Sequence, residues 1–228
     1  MQIARALAGE LLGSWDGIRC IEYMRATGCK NWAQTEWIGF YFEHRAKQIL
    51  AKTIGGEPGP KIGHVAIDYA VKGQPWDFKA HSIKKYGGWA YLNDVEAVDT
   101  CALHLGGIGW IIAVGTAEHD EDGSFRDWHE RLKGAPSRYS RERQARGAPS
   151  RPRKRSFNCS HFLIAKVFSP EQISAAMDAK LLRSDMQIGQ RNSDGSARRP
   201  KYGIHMKRAE ASVGGPHMLV IRYPPATR

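Results

Sequence analysis

The stretch IGWIIAVGTA, residues 108–117, constrains this chain more than any other. An uninterrupted apolar run of this length cannot divide its side chains between core and water. As a strand it must be covered on both faces, the pattern of a central strand between two layers. It is too short to cross a bilayer, which takes roughly 18 apolar residues, and no other run comes closer. The start, MQIARALAGELLGSW, lacks a long apolar core followed by a small-residue cleavage site, so the expectation is a cytoplasmic protein. At 228 residues the chain can bury a substantial core, and a single domain over 1–228 is expected.

Around the central strand the spacing predicts a mixed order of elements. Apolar residues at helical intervals mark 2–28, with a break at Gly13 and Gly17, and 31–52, with Asn31 as its cap. A Gly/Pro loop follows, then strands over 64–71 and 75–81 joined by a turn at 72–74. Helices are expected over 93–107, capped by Asn93, and over 124–134, capped by Ser124. A strand over 156–168 precedes a helix over 169–182, which has Ser169 at its cap, Pro170 next and Gln172 three residues on. Strands over 203–207 and 217–223 close the chain. The fold class this implies is α/β (α+β mixed), a central mixed sheet flanked by helices.

Four cysteines lie far apart with no C-x-x-C pair, which excludes a zinc ribbon and argues for buried free thiols. The formal charge of +11 favours a polyanionic partner. Its distribution is uneven: residues 135–155 hold eight Arg or Lys against one acid, with almost nothing apolar, and read as a mobile arm. A second basic, Gly-containing stretch spans about 186–203. Arg138, Arg141, Arg143, Arg153, Lys154 and Arg155 in the first, and Gln190, Arg191, Asn192, Arg198 and Lys201 in the second, carry the chemistry for phosphates and base edges.

The chemistry concentrates in HVAIDYAVKGQPWDFKAHS, residues 64–82. Side chains alternate across a strand. On that rule Val65, Ile67, Tyr69 and Val71 share one face of the first strand, leaving Asp68 on the other. Trp76, Phe78 and Ala80 share a face of the second, leaving Asp77, Lys79 and His81 opposite. If the strands pair, Asp68, Asp77 and Lys79 point into one small volume. Acids in such strands are costly unless something compensates them. Two hard carboxylates suit Mg²⁺, and a lysine beside them suits charge on a phosphate.

Asp68 followed by Asp77-Phe78-Lys79 resembles the PD-(D/E)XK nuclease signature, and the chain is most similar to the type II restriction endonucleases among its carriers. The resemblance covers about residues 31–118 and implies a restriction-endonuclease-like core over about 31–118 and 156–182. It implies a Mg²⁺-dependent endonuclease cutting double-stranded DNA at a short specific sequence. It further implies Asp68, Asp77, Lys79 and a helix acid, Glu43, as catalytic residues, with Asp68, Asp77 and Glu43 on the metal. Glu36 lies on nearly the same helix face. Ile67 stands where many members have proline. A homodimer on a two-fold site and a cognate DNA methyltransferase complete the expectation, with His81 as a further DNA contact. The rival readings are a junction-resolving, repair or phage nuclease of the same core, and a DNA-binding protein without catalysis.

Overall fold

The computed structural model describes residues 2–83, 88–136, 138–147, 152–192 and 195–224. The chain opens with α1 (Gln2–Leu11), β1 (Gly13–Asp16) and α2 (Gly17–Ala26). The break in the first helical pattern is thus a short strand, from which Asp16 caps α2 by accepting the Arg19 amide. Next come α3 (Trp37–Thr53) and the short strands β2 (Glu57–Pro58), β3 (Lys61–Ile62), β4 (Val65–Ala66) and β5 (Tyr69–Val71). β6 (Gln74–Ser82), β7 (Trp89–Asp94), α4 (Val95–His104) and β8 (Ile108–His119) complete the first half. The second half holds α5 (Ser124–Lys133), α6 (Arg138–Ala145), β9 (Lys154–Val167), α7 (Pro170–Asp178), β10 (Leu182–Met186), β11 (Lys201–His205), α8 (Met206–Ala211) and β12 (Leu219–Tyr223).

The main sheet runs β1-β9-β8-β6-β5-β2, with β12 also paired to β9. β6 and β8 are parallel and their other neighbours antiparallel, so the sheet is mixed, as expected. β8 is its centre. Trp110, Ile112 and Val114 enter a core beneath α4, α7, α8 and a small sheet of order β10-β11-β7. Ile111 and Ala113 enter a second core beneath α1, α2, α3 and α5. The uninterrupted apolar run is therefore covered twice. Gly109 is required within it: the Trp76 ring from β6 lies where a side chain would stand, 2.3 Å from a notional Cβ.

α3 starts at Trp37 rather than near Asn31, because residues 31–36 form turns and the Trp37 indole donates to the Lys154 carbonyl (2.8 Å). Phe42 stacks on Phe162 and meets the edge of Phe78, both at 5.7 Å between centroids. That contact fixes α3 against β6. α5 begins at Ser124 with Gly123, not Ser124, at the cap position, and the Asp120 carboxylate upstream accepts the Phe125 and Arg126 amides of its first turn. Ser169 caps α7 as expected, and Gln172 accepts the Phe168 amide (2.7 Å).

The basic stretch differs from the expected arm. Part of 135–155 is helical (α6), and its last two residues, Lys154 and Arg155, begin β9, so it is not a featureless arm. β2 and β3 fall within the expected Gly/Pro loop, β7 and β10 lie largely outside the expected elements, and α8 starts inside the expected strand over 203–207. The four cysteines are free, with Cys20, Cys101 and Cys159 buried. No helix among the described residues is long and apolar enough to cross a membrane.

Candidate active site

β5 and β6 pair with Tyr69 opposite Trp76, so Asp68 and Asp77 fall at the point where the two strands part. The expected alternation fails at this point. Ile67 packs in the core under α4 and Tyr69 in the core under α3, on opposite faces of the main sheet. β4 has left to pair with β3, and the backbone between β4 and β5 turns Asp68 toward β6. Its Oδ2 accepts the Phe78 amide (2.8 Å). The alternation holds in β6: Trp76, Phe78 and Ala80 face α3, which leaves Asp77, Lys79 and His81 toward the other layer. There Asp77 and Lys79 are ion-paired to each other.

Asp77 is buried, 2% exposed, and is held from a third direction. Asn93 Nδ2 donates to Asp77 Oδ1 (2.8 Å), and Trp110 Nε1 donates to Asn93 Oδ1 (2.9 Å). Expected as a helix cap, Asn93 instead lies within β7, one residue before its end, and Asp94 takes the position before α4. A register shift between Lys201 and Gly203, opposite the end of β7, re-aims the side chains. Asn93 reaches Asp77, while Asp94 pairs with Arg199 (3.0 Å) and Lys201 (2.8 Å). Asp94 is therefore a buried anchor, 4% exposed. Asp99 is likewise engaged, accepting the Tyr202 hydroxyl (2.9 Å).

α3 brings its acid to the same place. Glu43 follows Phe42 and accepts from Lys47 (2.6 Å), whose ammonium also stands 3.9 Å from Asp68. The electrostatics tie the group together. Burial pushes the Asp68 carboxyl up to about 8, and the charges of Asp77 and Glu43 reinforce it against the pull of Lys79 and the Phe78 amide. Burial works against the Lys79 ammonium, but Asp77, Asp68 and Glu43 outweigh it and hold its pKa above the ordinary lysine value.

Asp68 and Asp77 fit a hard divalent cation. They are adjacent oxygen donors, and Asp68 carries a proton affinity raised first by burial and then by the Asp77 charge. Glu43 is not assembled with them as a third ligand. Among the described residues no three His, Cys, Asp or Glu side chains stand close enough to hold a metal ion, and Lys47 occupies the Glu43 carboxylate.

The basic residues divide. Arg153, expected to contact DNA, is instead buried, 7% exposed, and bonded to Glu130 (2.6 Å) beside His129, so it ties the chain just before β9 to α5 rather than reaching outward. Lys154 bonds Ser82 (2.9 Å), three residues after Lys79, and His81 is half-buried on the Lys79 face. Lys201 sits on Asp94, one residue from Asn93, and shares with Arg198 and Arg199 a cleft of about 190 Å³. Arg191 donates to the Gly195 carbonyl (2.7 Å) and Asn192 to Ser196 (3.0 Å), so both shape their own hairpin, while Gln190 and Arg198 are exposed. Arg141 and Arg143 lie on α6, and Arg155 is exposed on β9. Arg138 begins α6, and its side chain lies outside the described residues.

Sequence reasoning missed the site roles of Asn93, Trp110 and Arg199. The alternation of Trp89 and Tyr91 with Ala90 and Leu92 was the signal for β7, and with it for Asn93 near its end. Compared with known proteins, the chain matches no family model, no curated protein and no solved structure.

Proposed function

We propose that this chain is a Mg²⁺-dependent endonuclease that hydrolyses phosphodiester bonds of double-stranded DNA at a short specific sequence, in the manner of a type II restriction enzyme. The observation that carries the reading is the convergence of Asp68, Asp77 and Lys79 where β5 leaves β6, with Glu43 coupled to them from α3. A surface ion pair on an ordinary hairpin would need neither the buried Asn93–Trp110 relay nor a crowded second carboxylate.

Asp68 and Asp77 would hold the ion, which supplies Lewis-acid charge to the phosphate and to the attacking water. The chain's own residues do the rest. Asn93 keeps Asp77 in one orientation, and the Phe78 amide does the same for Asp68. Lys79, kept charged by its neighbours, offers an ammonium to the developing negative charge. Lys47 balances Glu43. Lys201 and Arg199, anchored on Asp94, grip the backbone alongside. Two copies related by a two-fold axis would cut both strands of a palindrome, and a companion methyltransferase would protect the host's own sites.

The test is plasmid and phage DNA incubated with the protein in Mg²⁺ or in EDTA. Discrete fragments in Mg²⁺ alone are expected, and Lys79→Ala should lose roughly 10²–10³-fold in cutting while still binding DNA. Cutting confined to branched DNA would move the protein to the junction-resolving nucleases. Tight binding with no metal-dependent cutting would make the hairpin purely structural.

A further inference from the structure

The outer face of the small sheet is not used by the site described above. Its inner face is apolar: Ala90, Leu92, Leu182 and Ile204 are all buried in the core under α4. The outer face carries Trp89 and Tyr91 on β7, Gly203 and His205 on β11, and Arg183 and Met186 on β10. A register shift between Arg183 and Met186 brings both to this side. Arg183, Gly203 and Tyr91 form one row across the three strands.

The middle of that row, Gly203, has no side chain of its own, so nothing tall stands between Arg183 and Tyr91. The flexible Met186 lies over that glycine, 2.7 Å from where a Gly203 Cβ would be. Trp89 is locked beside it. The His205 ring meets it edge-on at 5.0 Å, and the Arg183 guanidinium sits over it at 5.3 Å, pinned by a two-pronged bond to Asp185. Tyr91 stays 45% exposed. Aromatic rings and a guanidinium plane on an open sheet are the groups on which unpaired bases stack.

The charge alongside points to the same ligand. Lys201 lies on the row next to Met186, about 10 Å along β7 from Tyr91, and shares Asp94 with Arg199. Two cations on one carboxylate leave net positive charge, and Arg198 adds to it in the same cleft. Apolar protein partners would find this rim unfavourable; a phosphate backbone would not.

We propose that this face is a stacking platform for an unpaired nucleobase, with the flanking phosphates on Lys201, Arg199 and Arg198. The proposal shares with the nuclease reading the polyanionic ligand and the cations Lys201 and Arg199, rests on the separate aromatic face, and needs no metal. It is tested in EDTA, where nothing is cut, by fluorescence anisotropy of a labelled 12-nucleotide oligothymidylate and of a blunt duplex of equal length. Tyr91→Ala should weaken oligothymidylate binding roughly 5- to 100-fold and leave the duplex within twofold. Tyr91→Phe should restore it, and thermal melting should show both variants folded.

Equal oligothymidylate affinity in wild type and Tyr91→Ala overturns the platform, as does an equal loss on both ligands. A fall in self-association on Tyr91→Ala, seen by sedimentation, would make the face a contact between copies and overturns it too. Cleavage of duplex DNA in Mg²⁺ is scored separately. A cutting enzyme whose Tyr91→Ala variant binds single strands normally loses the platform and keeps the nuclease. A chain that cuts nothing but shows the Tyr91 effect keeps the platform alone.

Discussion

Replacing Asp68 by Asn should stabilise the protein, increasingly so as the pH rises. The side chain is largely buried beside Asp77, and its carboxyl is pushed from 3.8 to about 8. Below pH 4 the group is protonated whether the chain is folded or not, and it contributes nothing to the balance. Between pH 4 and 8 the unfolded chain releases the proton while the native state retains it, so folding stability falls across that interval and levels off above it. At about 1.4 kcal/mol per tenfold change in proton affinity, the ceiling on this loss is about 6 kcal/mol. Charge shared with Asp77 and Lys79 lowers the part removable at Asp68 alone, and we expect about 3 kcal/mol. Asn keeps the oxygen that accepts the Phe78 amide and removes only the charge. Urea unfolding in EDTA at pH 5 and pH 8.5 reads the effect. With a slope of about 2 to 3 kcal/mol per molar, the variant's midpoint should exceed the wild type's by about 1 M more at pH 8.5 than at pH 5. Adding Mg²⁺ at pH 8.5 should then raise the wild-type midpoint and leave the variant's nearly unchanged, since only the former gains a native-state ligand. Midpoints that move in parallel with pH would show that Asp68 carries no stored electrostatic cost, and the reasoning would fail.

Two other substitutions separate positioning from scaffolding. Asn93→Ala strips a donor from Asp77 and an acceptor from Trp110, both buried; stability should drop by about 2 to 4 kcal/mol. Cutting should fall further than the melting loss explains, while DNA affinity in EDTA is retained. Arg153→Ala takes the guanidinium away from the partly buried Glu130 and should cost about 3 kcal/mol in chemical denaturation. The salt dependence of DNA binding should stay as in wild type, whereas Lys201→Ala should reduce its slope by about one.

Much of the architecture was written in local patterns. The run at 108–117 dictated a strand covered on both faces, and Trp110 and Ile111 do point into different cores. In β6 the period of two placed Asp77 and Lys79 together, because nine residues of regular strand leave no room for a change of face. Asp68 reached the same volume by a different route. The strand carrying it ends, and its neighbours Ile67 and Tyr69 turn to opposite layers, a break that periodicity cannot reveal. Asn93 was hidden because an asparagine before an apolar helical pattern is also the signature of a cap, and only the β11 pairing decides between them. Arg153 looked like part of a basic arm because its partner, Glu130, lies 23 residues away.

The central claim, that Asp68 and Asp77 hold a divalent cation for DNA cleavage, is tested most directly by titrating Mn²⁺ into the protein and following the free-ion resonance by electron paramagnetic resonance. The account predicts that the wild type binds Mn²⁺, that Asp77→Asn does not, and that cutting of duplex DNA appears over the same range of metal concentration. Equal binding by wild type and Asp77→Asn, or cutting that persists when the ion is chelated, would contradict it.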